Sequence, residues 1–268
     1  MQGTDASFRA GAERAVQLER QTIPDGIKGA QPNVVAPCFF TREIALTLLG
    51  MSARQDFPSF YPILDGGILS ADPEIRRGEL LRLVRRVVDA GATILQYRNK
   101  TGSDEQVLDD ARWIRNGAGP DPTLILNDRV HLVEQAGFDG AHVGQEDLAP
   151  QEARRILGPG RVLGVSTHNP EQIAEADQAA VDYIAVGPVF ATRSKENPDP
   201  VIGLEGVRAA RRLTQRPLVA IGGITAENAR SVIEAGADSV AVISAVFGRV
   251  VEPVPTGGRA AEFLRILG

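Results

Sequence analysis

The stretch Ala90-Gly-Ala-Thr-Ile-Leu-Gln-Tyr-Arg-Asn-Lys100 contains the unit that recurs through the chain. Gly91 ends a helical pattern, and a short apolar strand follows at once. Because side chains alternate along a strand, Gln96, Arg98 and, if the strand continues, Lys100 lie on one face at its C-terminal end. An unpaired cation is costly in a core, so this cluster indicates an anionic ligand such as a phosphate or pyrophosphate. The alternative is a solvated strand end with two surface cations.

The same junction of helix, glycine and strand recurs at Gly137 and Gly236. Short, nearly continuous apolar segments between helical patterns are typical of parallel strands that are buried on both faces. Eight such units predict a (β/α)₈ TIM barrel. A doubly wound open sheet is the alternative, but it usually carries a phosphate loop after its first strand, and Leu64-Asp-Gly-Gly67 lacks that fingerprint. The predicted strands are 61–65, 93–97, 123–127, 140–143, 162–165, 182–186, 217–221 and 238–243.

Residues 1–58 do not share this pattern, so we expect an N-terminal extension of unknown role before a barrel domain at 59–268. The 268-residue chain has a net charge of -5, which argues against a nucleic-acid partner. Its apolar segment at 34–51 is interrupted by charges, and its N-terminus has no signal-peptide pattern, so we expect no membrane partner. A single cysteine, Cys38, allows no intramolecular disulfide and favours a cytoplasmic location. The sequence does not determine the oligomeric state, and it is compatible with a homo-oligomer.

Polar residues follow the predicted strands where function belongs in a barrel, at the C-terminal ends. Asp128 and Asp147 follow adjacent strands, and two such carboxylates suit Mg²⁺. The alternative for each is an N-cap of the next helix. Gly222 and Gly223 follow the seventh strand, where barrels commonly bind phosphate, although a simple tight turn is the alternative. Among the histidines, His131 is interpreted as a surface residue, His142 as structural, and His168 as a possible substrate contact.

Taken together, the motifs at these strand exits resemble the thiamine-phosphate synthase family. The resemblance extends from about residue 61 to 248 and implies the coupling of a hydroxymethylpyrimidine diphosphate to a thiazole phosphate, giving thiamine phosphate and pyrophosphate. Tyr97 replaces the usual leucine or phenylalanine, and Ser194 the usual threonine; both changes look conservative. The motifs are Gln96-Tyr-Arg-Asn-Lys100, Asn127-Asp-Arg129, His142-Val-Gly-Gln-Glu-Asp147, Gly164-Val-Ser-Thr-His168, Gly187-Pro-Val-Phe190, Ile221-Gly-Gly-Ile224 and Val242-Ile-Ser244.

The resemblance also implies a role for each matching residue. Asp128 and Asp147 would bind Mg²⁺. Lys195 would contact the pyrophosphate as it leaves and, with Arg98 and Ser166, would form the catalytic set. The pyrimidine diphosphate would contact Gln96, Arg98, Lys100, Asn127 and Ser166, and the thiazole phosphate would contact Thr192, Ser194, Gly223, Ile243 and Ser244.

The chemistry of this reaction agrees with the residue types. A pyrimidine methylene can lose diphosphate to leave a resonance-stabilised cation, so the protein must neutralise charge on the leaving group. The thiazole nitrogen already has a lone pair, which explains why the sequence shows no nucleophile–base pair. One alternative is the related thiazole tautomerase, which would need no Mg²⁺ ligands and usually has histidine where Pro188 stands. The distant alternative is a non-enzymatic sensor of a phosphate ligand.

Overall fold

A computed structural model describes residues 57–192, 199–248 and 256–268. Within these ranges, eight parallel strands form a closed barrel in sequence order. The closing ladder pairs Phe60 in the first strand with Val240 in the last. This closure confirms the predicted TIM barrel and excludes the open sheet. Residues 1–56, most of the expected extension, lie outside the described residues.

Strands and helices alternate along the barrel. The strands are β1 (Phe60–Asp65), β2 (Ile94–Arg98), β3 (Thr123–Asn127), β4 (Gly140–Val143), β5 (Val162–Thr167), β6 (Tyr183–Val186), β7 (Leu218–Ile221) and β8 (Ser239–Val242). The helices are α1 (Pro73–Asp89), α2 (Asp104–Ala118), α3 (Val133–Ala136), α4 (Pro150–Leu157), α5 (Pro170–Gln178), α6 (Gly203–Leu213), α7 (Ala226–Glu234), α8 (Ser244–Phe247) and α9 (Thr256–Leu267). Short 3₁₀ turns lie at Gly66–Ile68 and Val130–Leu132.

Local sequence explains where these elements begin and end. The hydroxyl of Ser103 accepts a hydrogen bond from the backbone N–H of Gln106 and so caps α2. Gly137 ends α3 in the left-handed conformation, with φ of 66°, and the chain then enters β4. The segment between β3 and β4 forms a 3₁₀ turn followed by α3. None of the described helices is long and apolar enough to cross a membrane.

The core has two layers, because residues of each strand alternate between the helices and the barrel interior. Phe60 and Leu64 of β1 face the helices, whereas Tyr61 and Ile63 face inward. The interior also receives the ring of Tyr183 from β6. The barrel is therefore filled by side chains below its mouth, and a ligand can enter only at the end of the strands.

A buried polar cluster fastens α1 and α2 to β2. Arg76 of α1 makes a bidentate ion pair with Asp110 of α2, with its Nε 2.8 Å from Oδ1 and its Nη2 2.8 Å from Oδ2. The hydroxyl of Tyr97 donates to Asp110 and accepts from Arg76 and from the side-chain amide of Asn99. Leucine or phenylalanine at position 97 could not make these bonds, so the departure at Tyr97 is not conservative here. Through Asn99, the cluster supports the loop that carries Lys100.

We expect Asp110→Ala to lower the free energy of unfolding by about 3–5 kcal/mol, because it leaves a buried guanidinium without its partner. Asp109→Ala is the matched control, since this neighbour has the same charge and its side chain is 61% exposed. The control should change stability by no more than about 0.5 kcal/mol. Urea denaturation of both variants measures the difference. Equal stabilities would show that the cluster contributes no more than a surface ion pair.

Candidate active site

A cavity of about 750 Å³ opens at the C-terminal ends of the strands. Its lining comes from every part of the barrel, because closure brings all strand exits to one rim. Ser194 and Lys195 lie outside the described residues. The structure places the other predicted site residues on this lining: Gln96, Arg98, Lys100, Asn127, Asp128, Asp147, Ser166, Thr192, Gly223, Ile243 and Ser244.

The two predicted metal ligands, Asp128 and Asp147, both lie near the ammonium group of Lys100. Lys100 Nζ forms an ion pair with Asp128 and lies 3.9 Å from Asp147 Oδ1. Asp128 has a φ of 61°, a left-handed conformation that is unusual for a residue with a side chain. Such strain is found where the surrounding structure holds a residue in place, and it is common at functional sites. Here it accompanies a carboxylate that lines the cavity.

Neither carboxylate caps a following helix. Among the described residues, the 3₁₀ turn after β3 and helix α4 have N-caps, Arg129 and Ala149, that make no side-chain capping bond. Asp147 Oδ2 instead accepts from the backbone N–H of Gly144 at 2.8 Å, within its own loop. The capping alternative is therefore wrong for both Asp128 and Asp147. Within the described ranges, no cluster of three or more His, Cys, Asp or Glu side chains could hold a metal ion.

The electrostatics of the pair favour a cation. Burial and the neighbouring Asp147 carboxyl raise the pKa of Asp128 to about 6, although Lys100 opposes the shift. Burial also acts to raise the pKa of Asp147, but hydrogen bonds from Asp128 and from Gly144 N–H lower it overall. The two carboxyls are thus close enough for one to disfavour ionisation of the other. A divalent cation with oxygen ligands would remove that repulsion.

Both cations of the opening stretch have acidic partners. Arg98 at the end of β2 forms an ion pair with Asp65 at the end of β1, the residue opposite it in the ladder. Asp65 also accepts from the backbone N–H of Gly67 at 2.8 Å. Arg98 and Lys100 were expected to need a ligand as their anionic partner, but acidic side chains of the chain itself already pair with both. Asp65 was missed, although its position at a strand exit was a usable signal.

The barrel interior below the cavity contains a line of polar side chains. Gln96 Nε2 donates to the Tyr61 hydroxyl at 3.0 Å, and that hydroxyl lies 2.8 Å from the hydroxyl of Tyr183. His142 Nδ1 lies 2.9 Å from the Tyr183 hydroxyl, and its Nε2 lies 2.8 Å from Ser166 Oγ. Burial lowers the pKa of His142 to about 4, so the imidazole is neutral. His142 is thus connected to a predicted site residue.

The exits of β6 and β7 pack tightly together. The backbone N–H groups of Val189 and Phe190 each donate at 2.9 Å, to Ile221 O and Gly222 O respectively. Gly223 has a φ of 64°, and a Cβ there would lie 2.5 Å from the carbonyl oxygen of Ala191. This rim therefore requires glycine for both conformation and space. A simple tight turn after β7 would not explain why the loop after β6 approaches it so closely.

His168 and Pro188 lie beside this rim. The Gly187–Pro188 peptide bond is cis. His168 Nδ1 lies 2.7 Å from the Gly187 carbonyl oxygen, which makes that nitrogen the donor. Its Nε2 lies 3.5 Å from Asp199 Oδ2, and both His168 and Pro188 line the cavity. His131 is bonded to Asp104 at 2.9 Å, with its side chain 60% exposed, which agrees with a surface role.

Comparison with known proteins identifies similar chains. A family model described as thiamine monophosphate synthase matches residues 68–246. The thiamine-phosphate synthase of Koribacter versatilis is 51% identical over 217 residues, which are 81% of this chain and 99% of the relative. The solved thiamine phosphate pyrophosphorylase from Pyrococcus furiosus has a TM-score of 0.64 at 30% identity, covering 78% of this chain and 95% of that one. A native KDPGal structure, at 19% identity and a TM-score of 0.60, shares the fold alone.

We expect Gly223→Ala to destabilise the protein more than Gly137→Ala. Both glycines have nearly the same φ, 64° and 66°, but a Cβ at Gly137 meets nothing within 4 Å. Gly137→Ala therefore measures the left-handed strain, roughly 1–2 kcal/mol, and Gly223→Ala adds the clash at the rim. Denaturant unfolding of both variants gives the comparison. Equal losses would contradict the packing described for β6 and β7.

Proposed function

Because this chain belongs to the thiamine monophosphate synthase family, we propose that it forms thiamine phosphate by a dissociative route. The reaction joins 4-amino-2-methyl-5-hydroxymethylpyrimidine diphosphate to thiazole phosphate and releases pyrophosphate. In the proposed route, the bond between the pyrimidine methylene and the diphosphate breaks first. The thiazole nitrogen then attacks the resulting cation with its own lone pair. No general base is required.

The observation that carries this proposal is the convergence of Asp128, Asp147 and Lys100 beside Arg98 at the barrel mouth. Two carboxylates leave room for water and phosphate oxygens, as Mg²⁺ prefers. Bound there, Mg²⁺ would neutralise charge on the diphosphate. Lys100 and Arg98 already lie at the same rim and supply positive charge from the protein. Their ion pairs with acidic residues keep them in place before the substrate binds.

The two substrates divide the cavity between opposite arcs of the rim. The exits of β2, β3 and β5 supply the contacts proposed for the pyrimidine diphosphate. The exits of β6 to β8 supply the contacts proposed for the thiazole phosphate, where glycine backbones permit close approach. Lys195 lies outside the described residues, and its proposed contact with departing pyrophosphate rests on the family resemblance. The pyrimidine arc comprises Gln96, Arg98, Lys100, Asn127 and Ser166, and the thiazole arc comprises Thr192, Gly223, Ile243 and Ser244. Ser194 is proposed for the thiazole phosphate on the family resemblance alone.

The two alternative functions have less support. A tautomerase would have no need of the acidic pair Asp128 and Asp147, and Pro188 lines the cavity where that enzyme usually has histidine. The relatives described above are named as synthases or pyrophosphorylases. A sensor of a phosphate ligand does not explain the paired carboxylates.

We expect Asp128→Asn and Asp147→Asn to raise the Mg²⁺ concentration needed for half-maximal thiamine phosphate formation by about 10–100-fold or more, because each removes a ligand charge. Product formation over a Mg²⁺ titration, with both substrates present, is the measurement. Glu152→Gln is the control, since it removes one negative charge from a nearby helix, where Glu152 pairs with Arg155. Its curve should match the wild type. Superimposable curves for all three variants would refute the metal site.

Lys195→Ala should lower kcat and kcat/KM together, by about 10²–10³-fold, if Lys195 contacts the diphosphate chiefly as its charge separates. Arg98→Ala should instead raise KM for the diphosphate substrate more, because this strand residue belongs to a preformed site. Steady-state kinetics with that substrate varied distinguishes the two roles. A change in KM alone for Lys195→Ala would make Lys195 an ordinary binding residue.

A further inference from the structure

The line of polar side chains below the cavity forms a continuous buried hydrogen-bond chain. It runs from Gln96 through Tyr61, Tyr183 and His142 to Ser166, with heavy-atom distances of 3.0, 2.8, 2.9 and 2.8 Å. Its members come from β1, β2, β4, β5 and β6. The chain therefore crosses the whole interior of the barrel.

All five residues of this chain border the cavity, and Gln96, at one end, is itself only 2% exposed. Tyr61 and Tyr183 are 1% and 0% exposed, and His142 is 8% exposed. Gln96 and Ser166 are the residues of the chain that the proposed function assigns to substrate. A buried hydroxyl or imidazole N–H without a partner is costly, so the interior hydrogens have to be used within the chain.

The orientation of the Gln96 amide decides the direction of every bond, because its Nε2 faces the Tyr61 hydroxyl. Gln96 Nε2 carries two hydrogens, one of which it donates to Tyr61, and the two tyrosine hydroxyls, the neutral imidazole and the Ser166 hydroxyl carry one each. Within the described residues, the hydroxyl of Tyr61 has no other partner than Gln96 and Tyr183. If Tyr61 did not donate to Tyr183, its hydrogen would be stranded in the interior. The other three links then use the hydrogens of Tyr61, Tyr183 and His142, so the Ser166 hydrogen is left to be donated outside the chain.

This direction specifies the polarity of both ends. Tyr61 donates to Tyr183, which donates to His142 Nδ1, so the imidazole proton lies on Nε2. That proton is donated to Ser166 Oγ, and the Ser166 hydroxyl is left to donate into the cavity. At the other end, Gln96 uses its Nε2 on Tyr61 and retains Oε1 as the acceptor it can offer to a ligand.

We propose that Tyr61, Tyr183 and His142 are positioning residues that hold the Ser166 hydroxyl as a donor and the Gln96 amide oxygen as an acceptor toward the cavity. The inference rests on the proposed function, in which both end residues contact the pyrimidine diphosphate. An aminopyrimidine presents an amino donor beside a ring-nitrogen acceptor, which is the complementary pattern. A 4-oxopyrimidine presents the reverse pattern, a carbonyl acceptor beside a ring N–H donor, so the chain selects against it.

The first test needs no substrate. Nitrogen-15 NMR of the imidazoles reports which ring nitrogen carries the proton, and substitution of His131 and His168 assigns the signals of a chain with three histidines. We expect His142 as the neutral Nε2–H tautomer. Tyr61→Phe should leave that tautomer unchanged, because Tyr183 can still donate. Tyr183→Phe should allow the Nδ1–H form to appear, and an Nδ1–H tautomer in the unsubstituted protein would overturn the proposal.

The second test is kinetic. Tyr183→Phe should raise KM for the pyrimidine diphosphate roughly 2- to 10-fold, the effect of one net hydrogen bond, and leave KM for the thiazole phosphate unchanged. It should also reduce the preference in kcat/KM for the amino substrate over its 4-oxo analogue. Thr167→Val is the matched control, because Thr167 is 0% exposed and its hydroxyl donates to Ala185 O at 2.8 Å. A loss of stability without either kinetic change is expected of that control.

The outcomes separate this inference from the proposed function. If Tyr183→Phe raises both KM values alike, or behaves as Thr167→Val does, the positioning role is wrong. That result would not contradict the proposed synthase activity. If the unsubstituted protein makes no thiamine phosphate, the proposed function fails. In that case the tautomer of His142 still decides whether the chain holds Ser166 as a donor.

Discussion

The ladder between β1 and β8 is the constraint on which the site depends. It closes the sheet, and closure forces all the strands to end on a single rim. Asp65 and Ser244 are far apart in sequence, yet they border the same mouth because their strands are neighbours. An open sheet built from the same strands would separate its two edges, and the two substrate arcs would then face different surroundings.

Charge at the rim is arranged in pairs before any substrate is bound. Arg98 is held by Asp65, and Lys100 by Asp128 and Asp147. In the proposed function, a diphosphate that binds there would compete with these carboxylates for Arg98 and Lys100. Bound Mg²⁺ would neutralise the carboxylates that Lys100 leaves. In the proposed mechanism, the departing diphosphate would meet donors that are already oriented, which is the basis of electrostatic stabilisation by a preorganised site.

Sequence patterns predicted the barrel and the rim, because strand alternation and the strand-exit rule follow from backbone geometry. They placed Asp128 and Asp147 at adjacent exits, and the structure brings these residues together. They could not supply the partner of Arg98, since Asp65 is set opposite it by the β1–β2 register. They also classed His142 as structural, because an isolated histidine in a strand has no pattern. Its link to Ser166 depends on a tyrosine from β6, far along the chain.

Two buried tyrosines of this barrel use the same type of hydroxyl group in different ways. Tyr97 faces the helices and is surrounded by charge, so its hydroxyl completes an ion pair between Arg76 and Asp110. Tyr183 faces the interior and contacts neutral groups. Its hydroxyl accepts one hydrogen bond and donates another, so the direction of the first sets the direction of the second. In the charged cluster, a guanidinium can only donate and a carboxylate can only accept, so the direction of each hydrogen bond is already fixed. A neutral chain has two possible directions, and the orientation of the Gln96 amide selects between them. In this proposal, Ser166 and Gln96 therefore take their donor and acceptor pattern from the three side chains between them.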